Sequence, residues 1–135
     1  MSRAPRVLLV EDNEANQLLT RSVLELDGFE LEVAGSAAEA RDRLLAMTPD
    51  LILMDIQLPG QDGLSFTADL RSEPATATIP VVALTAHAMR VHEEQAIAAG
   101  CAGYISKPIN TRTFAEQVRT FLTKATLTDG EPALR

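Results

Sequence analysis

Three short apolar runs, each stopped by a polar side chain, constrain this chain more than any other feature. Arg6-Val7-Leu8-Leu9-Val10 runs into Glu11 and Asp12, Leu51-Ile52-Leu53-Met54 into Asp55, and Val81-Val82-Ala83-Leu84 into Thr85. None of them alternates, so each reads as a strand buried on both faces, which requires helices on both sides of a sheet. The sequence between them has helical spacing. In a first helix Ala15, Leu18, Leu19, Ser22, Val23 and Leu26 fall on one side, with Gly28 where the helix should end. In a second, Ser36 and Glu39 have the spacing of a capping box, and Ala37, Ala40, Leu44 and Met47 form the buried stripe. A third covers about residues 64–72. A fourth, with a weak stripe, covers about 89–99 and ends at Gly100. A fifth uses Phe114, Val118, Phe121 and Leu122, with Thr111 as its cap.

Residues 29–34 alternate more, with Glu30 and Glu32 between Phe29, Leu31 and Val33, as in an edge strand with one wet face. Residues 102–106 read as a short fifth strand. The order is therefore βαβαβαβαβα, an α/β chain with a parallel sheet covered on both faces. At 135 residues there is room for one domain. Residues 5–124 are expected to form it. Residues 125–135 contain Thr128, Asp129, Gly130 and Pro132 without apolar period and read as a disordered tail.

Charge narrows the function classes. A net charge of −7 argues against nucleic acid and against anionic membrane surfaces, both of which call for clustered Lys and Arg. The single cysteine, Cys101, permits no internal disulfide and fits a reduced, cytoplasmic setting. The first apolar run is too short for a signal peptide, and no run approaches the roughly 18 residues that span a bilayer.

The chemistry-bearing residues stand at strand ends. Glu11 and Asp12 follow the first strand, Asp55 the third, Thr85 the fourth and Lys107 the fifth. Open parallel sheets bind ligands beyond the carboxyl ends of their strands, where strand order reverses. If the order is 2-1-3-4-5, the first and third strands are neighbours across that point, and Glu11, Asp12 and Asp55 converge. Two unit charges about 4 Å apart repel by roughly 4 kcal/mol at an effective dielectric near 20. A cation or a proton relieves that repulsion. An all-oxygen, partly wet site suits Mg²⁺, which keeps several waters and takes one or two carboxylates plus phosphate oxygens. A carboxylate can attack a phosphoryl donor to give an acyl phosphate. Lys107 supplies a point charge and Thr85 a hydroxyl donor for phosphoryl oxygens.

At these residues the chain resembles a response regulator receiver domain of the stand-alone type. The segments that carry the resemblance are Leu8-Leu9-Val10-Glu11-Asp12-Asn13, residues 50–59 with Asp62-Gly63, Pro80-Val81-Val82-Ala83-Leu84-Thr85-Ala86, and Gly103-Tyr104-Ile105-Ser106-Lys107-Pro108. They fall in the right order over residues 6–122. The resemblance implies a doubly wound (βα)5 flavodoxin-like fold, with five parallel strands in the order 2-1-3-4-5. It implies Asp55 as phosphoacceptor, served by a histidine kinase or a histidine phosphotransfer protein. It implies Mg²⁺, with Mn²⁺ as a substitute, on Asp12, Asp55 and the backbone carbonyl of Gln57, with Glu11 holding a water of the ion. Lys107 would contact the phosphoryl group and precede a cis bond to Pro108. Thr85 would swing toward the phosphoryl group and Tyr104 would rotate inward after it. That would remodel the face of the fourth helix, fifth strand and fifth helix for a downstream protein, with the chain a monomer or weak dimer. Glu11 stands where Asp is commoner and Leu58 where Met is commoner. Gln57 and His87 occupy positions that modulate how long the phosphoryl group survives.

Plainer readings exist for each residue. Glu11 and Asp12 could simply complement a helix dipole, Thr85 could be an N-cap, Lys107 a surface lysine and Tyr104 a core residue. His87 and His92 lack a partner at ligand spacing. Met89 and Val91 could expose a partner surface. A haloacid-type phosphatase would want a second acid where Gln57 stands. A nucleotide-binding module would want a glycine-rich turn where Glu11-Asp12-Asn13-Glu14 stands. A receiver that only relays phosphate, or that binds partners without phosphorylation, is the remaining alternative. None of the receiver readings makes the chain an enzyme with a separate substrate.

Overall fold

The computed structural model describes residues 4–58, 60–86 and 90–130. Five parallel strands, β1 (Arg6–Val10), β2 (Glu30–Ala34), β3 (Leu51–Asp55), β4 (Val81–Thr85) and β5 (Gly103–Ser106), form one sheet in the order β2-β1-β3-β4-β5. The helices α1 (Glu14–Leu26), α2 (Ala37–Ala46), α3 (Gly63–Ser72), α4 (Arg90–Ala99) and α5 (Phe114–Gly130) alternate with them. The unbroken apolar runs follow from this layering. Leu8, Val10, Ile52, Met54, Val81 and Ala83 face a core with Ala37, Ala40, Phe66, Leu70 and Ala96, from α2, α3 and α4. Val7, Leu9, Leu51, Leu53, Val82 and Leu84 face a second core with Leu24, Phe114 and Val118, from α1 and α5. Each large side chain buried in this way contributes roughly 1.5–3 kcal/mol. At the sheet edge, β2 turns Glu30 and Glu32 to solvent, where charges discourage pairing with another chain.

The caps correct several sequence expectations. Asn13 caps α1 by accepting from the Asn16 N–H at 2.9 Å. Gly28, at φ +93°, ends α1 in a Schellman turn, with Phe29 N–H on Leu24 O and Gly28 N–H on Glu25 O. Ser36 caps α2 as expected, but Glu39 reaches back to the Gly35 N–H rather than that of Ser36. Thr111 does not cap α5. Asn110 does that work, taking the Phe114 N–H on its carbonyl and the Arg112 N–H on its side chain.

Two differences are larger. Of the apolar stripe read for α1, Val23 packs against the core, but most of the rest does not. Thr20 and Leu24 are buried, while Leu18, Leu19 and Leu26 are 67%, 40% and 90% exposed. The helix is rolled so that Asn16 and Gln17 sit half-buried beside the end of β1. α5 continues to Gly130, past the boundary at 124 expected from the sequence. No proline interrupts the helix before Pro132. The remainder of the expected tail, 131–135, lies outside the described residues, as do His87 and Met89 and the side chains of Val91 and His92. Among the described residues, no helix is long and apolar enough to cross a membrane.

Candidate functional site

The register brings the strand ends together. β1 and β3 pair directly, Val10 opposite Met54, so Glu11 and Asp12 emerge beside Asp55. Asp55 is the last residue of β3 and lies opposite Leu84 of β4. The β4–β5 ladder closes with the Lys107 N–H on the Thr85 carbonyl at 2.7 Å, which delivers Lys107 to the same rim. The Lys107–Pro108 bond is cis, as the resemblance implied.

Glu11 and Asp55 are 2% and 5% exposed, unusual for carboxylates unless they are paired. Lys107 pairs both. Its Nζ is 2.9 Å from Glu11 Oε1 and 3.1 Å from Asp55 Oδ2. The remaining oxygens are held by the backbone, the Asn13 N–H donating to Glu11 Oε2 and the Gln57 N–H to Asp55 Oδ1. Asp12 stands exposed at the mouth, and one carboxylate oxygen each from Glu11, Asp12 and Asp55 lie within 4.8 Å of one another. This all-oxygen, partly hydrated donor set fits a small hard cation such as Mg²⁺.

Burial and the neighbouring charges set the electrostatics of the crevice. Burial lifts the Asp55 carboxyl above its ordinary value. The Gln57 N–H pulls it down, the charge of Glu11 lifts it further and Lys107 pulls it down, and the balance is upward. Burial alone would lower Lys107. The hydrogen bond to Glu11 and the charge of Asp55 outweigh it and hold the ammonium above the usual lysine value. Lys107 therefore stays charged, and the crevice keeps an excess of negative charge.

The flanking residues divide. Thr85 is buried at the end of β4 beside this rim. Tyr104 sits half-buried against the core of Ala96 and Cys101, with a hydrogen bond between its hydroxyl and Glu93 of α4 that raises its pKa. Two contributors were not legible as such in the sequence. Gly63, at the start of α3, presses on the Asp55 backbone so closely that a Cβ there would lie 2.1 Å from the Asp55 carbonyl oxygen. Its only sequence signal is its place after Asp62, whose side chain caps α3 through the Ser65 N–H. Gln17 donates from its side chain to the Glu11 carbonyl at 2.6 Å, and nothing in its spacing announces that. A cavity of about 330 Å³ opens among Arg6, Glu30, Arg43 and Met47, at the opposite ends of β1 and β2, away from the carboxylates.

Comparison with known proteins follows the same lines. The model of the response regulator receiver domain family matches residues 7–119. The polar-differentiation response regulators DivK of Brucella ovis and Brucella anthropi are 45% and 44% identical to this chain over 116 residues, 86% of this chain and 94% of theirs. A response regulator of Chloroflexus aurantiacus J-10-fl superposes with a TM-score of 0.85 at 28% identity, covering 90% of this chain and 99% of that one. The receiver domain of the sensor histidine kinase PA1611 of Pseudomonas aeruginosa PAO1, solved with a magnesium ion coordinated in its active-site cleft, superposes with a TM-score of 0.80 at 29% identity, covering 89% of this chain and 98% of that one. Likeness of this extent, in sequence and backbone together, goes beyond a shared architecture: the chain belongs to the response regulator receiver domains of two-component signalling.

Proposed function

We propose that this receiver accepts a phosphoryl group on Asp55 from a histidine kinase or a histidine phosphotransfer protein. The observation that carries the reading is the buried cluster in which Lys107 lies within 3.1 Å of Asp55 and 2.9 Å of Glu11, at the meeting point of three strand ends. An Asp55 oxygen attacks phosphorus, the bond from phosphorus to the donor's imidazole nitrogen breaks, and the nitrogen keeps the electron pair. The product is an acyl phosphate. Asp12, Asp55 and the Gln57 carbonyl would hold Mg²⁺, or Mn²⁺ in its place, with Glu11 holding one of its waters. When bound, the ion neutralises charge between the carboxylate and the phosphoryl oxygens. Lys107 is positioned to pass from Asp55 to a phosphoryl oxygen as that charge moves outward, and the Gln57 N–H keeps the carboxylate oriented. Thr85 supplies a hydroxyl from the next strand end.

The donor has to cover this rim, and α1 presents Leu18 and Leu19 beside it, large and exposed. For the downstream protein, the face of α4, β5 and α5 is the candidate. Tyr104 and Glu93 link β5 to α4 there, and Ile97 is 52% exposed. A charge change at Asp55 that drew Thr85 inward would free space toward Tyr104 and shift the populations of that face.

The test is intact mass after incubation with Mg²⁺ and acetyl phosphate, with Asp55→Asn alongside. Wild type is expected to gain one phosphoryl group and the variant none. Equal gain by both would remove Asp55 from the role. Failure of both, with the fold intact and with a phosphohistidine protein as donor also ineffective, would leave a receiver that binds partners without phosphorylation.

A further inference from the structure

The turn between β1 and α1 is tied at more points than a connection of three residues needs. The Glu11 N–H continues the β1–β2 ladder onto the Ala34 carbonyl at 2.9 Å. The Asn13 N–H folds back onto Glu11 Oε2 at 3.2 Å. The Asn13 side chain takes the Asn16 N–H, and its carbonyl takes the Gln17 N–H at 2.9 Å. Glu11 is 2% exposed, so its carbonyl, one step beyond the end of β1, needs a donor from the protein. Gln17 provides it, with Nε2 at 2.6 Å. Gln17 thus grips the turn twice, by its backbone at Asn13 and by its side chain at Glu11.

The peptide unit that the Gln17 amide holds is the one joining Glu11 to Asp12. Its rotation about the chain axis decides where Asp12 points. Asp12 is the exposed member of the carboxylate trio whose oxygens lie within 4.8 Å of one another, and its neighbours Glu11 and Asn13 are both tied. Releasing the Glu11 carbonyl would let this peptide turn and let Asp12 swing out of the crevice. The roll of α1 noted above is what places Gln17 within reach, since a helix turned to bury Leu18 and Leu19 would carry Gln17 away from β1.

We propose that Gln17 is a positioning residue for Asp12, and that through the Glu11 carbonyl it sets the affinity of the crevice for a divalent cation. The inference rests on the reading of the crevice as a Mg²⁺ site. It is tested by titrating the full chain with Mg²⁺ in a calorimeter, for wild type, Gln17→Met and Arg119→Met. Methionine matches glutamine in length but cannot donate. Arg119→Met removes the ion pair with Asp27 beyond the far end of α1, and so loosens the same helix without touching the crevice. Melting temperatures without metal are measured for all three. Gln17→Met is expected to weaken Mg²⁺ binding about fivefold, the equivalent of roughly 1 kcal/mol, while Arg119→Met binds as wild type does. Wild-type affinity in Gln17→Met would overturn the proposal and leave the Mg²⁺ reading intact. Equal weakening in both variants would also overturn it, since general loosening of α1 would then suffice. A wild type that binds no Mg²⁺ would overturn the metal reading and this inference with it.

Discussion

Replacing Gly63 by alanine adds one methyl group at the first residue of α3, and its effect can be worked out with its sign. In an open helical position the change would stabilise the protein by up to about 1 kcal/mol, because alanine has the better helix propensity and the less disordered unfolded state. Gly63 is not in an open position. A Cβ placed on its backbone lies 2.1 Å from the Asp55 carbonyl oxygen and 2.9 Å from the Ile56 Cα. The first of these is roughly 1.3 Å inside ordinary contact, on the steep wall of the potential. Both obstacles are backbone, so no rotamer change relieves them. Either the start of α3 or the end of β3 has to move, and α3 is held there by the Gly63 N–H on the Ile56 carbonyl at 2.9 Å. Overpacking of this kind costs about 1–3 kcal/mol, enough to cancel the propensity gain and reverse the sign. To the extent that the end of β3 gives way, the displacement falls on Asp55, so metal binding should suffer beyond the loss of stability. The assay is urea unfolding with and without Mg²⁺. The variant should show a lower midpoint with an unchanged slope, and a smaller shift on adding metal than wild type shows. Gly60→Ala is the control. Gly60 has φ +82° but nothing within 4 Å of the added carbon, so it should cost about 1–2 kcal/mol in strain and leave the metal-induced shift unchanged. A Gly63→Ala protein as stable as wild type, with the same response to Mg²⁺, would refute the reasoning.

Three further outcomes are expected. Lys107→Ala leaves Glu11 and Asp55 buried without their shared cation, and should destabilise the metal-free protein by about 2–3 kcal/mol. Mg²⁺ should restore much of that while phosphorylation stays impaired, and a variant phosphorylated at the wild-type rate would contradict the role given to Lys107. Because burial lifts the Asp55 carboxyl above its ordinary 3.8, the folded protein binds that proton more tightly than the unfolded chain does. The stability linked to this proton is full below 3.8 and is lost as pH rises through the raised folded value. Metal-free Asp55→Asn should therefore melt higher than wild type at pH 7, the gap should close toward pH 4, and an unchanged gap across that range would count against the assignment. Finally, burial pushes the Cys101 thiol up to about 11, so iodoacetamide at pH 8 should label Cys101 in urea and leave it untouched in the native protein; rapid native labelling would show that α4 and β5 open more readily than their packing suggests.

The strands were legible from residue pattern alone. Val7 to Val10, Leu51 to Met54 and Val81 to Leu84 are apolar at every step because cores lie on both faces of the sheet, so pattern and burial say the same thing. The residues that end those runs were legible for the same reason, since a polar side chain at the end of a buried strand has to be at the rim. The face of α1 was not legible. Leu18, Leu19, Val23 and Leu26 have the spacing of a buried stripe, yet of these Val23 alone packs against the core, beside Thr20 and Leu24. Periodicity shows that a helix has an apolar side, but which side packs inward depends on how its ends are tied, here through Asn13, Glu11 and Gln17.

The remaining features of the site come from packing. That Lys107 lies between Glu11 and Asp55, that Gly63 leaves room for the Asp55 backbone, and that Gln17 closes the turn behind Asp12 are contacts whose partners are brought together by strand register and helix roll. A sequence states which groups are available at the strand ends. Their separations, and therefore the balance of charge that makes Asp55 reluctant to ionise, exist only once β1, β3 and β5 are set side by side. Coulomb energies fall with distance, and those distances are a property of the folded chain.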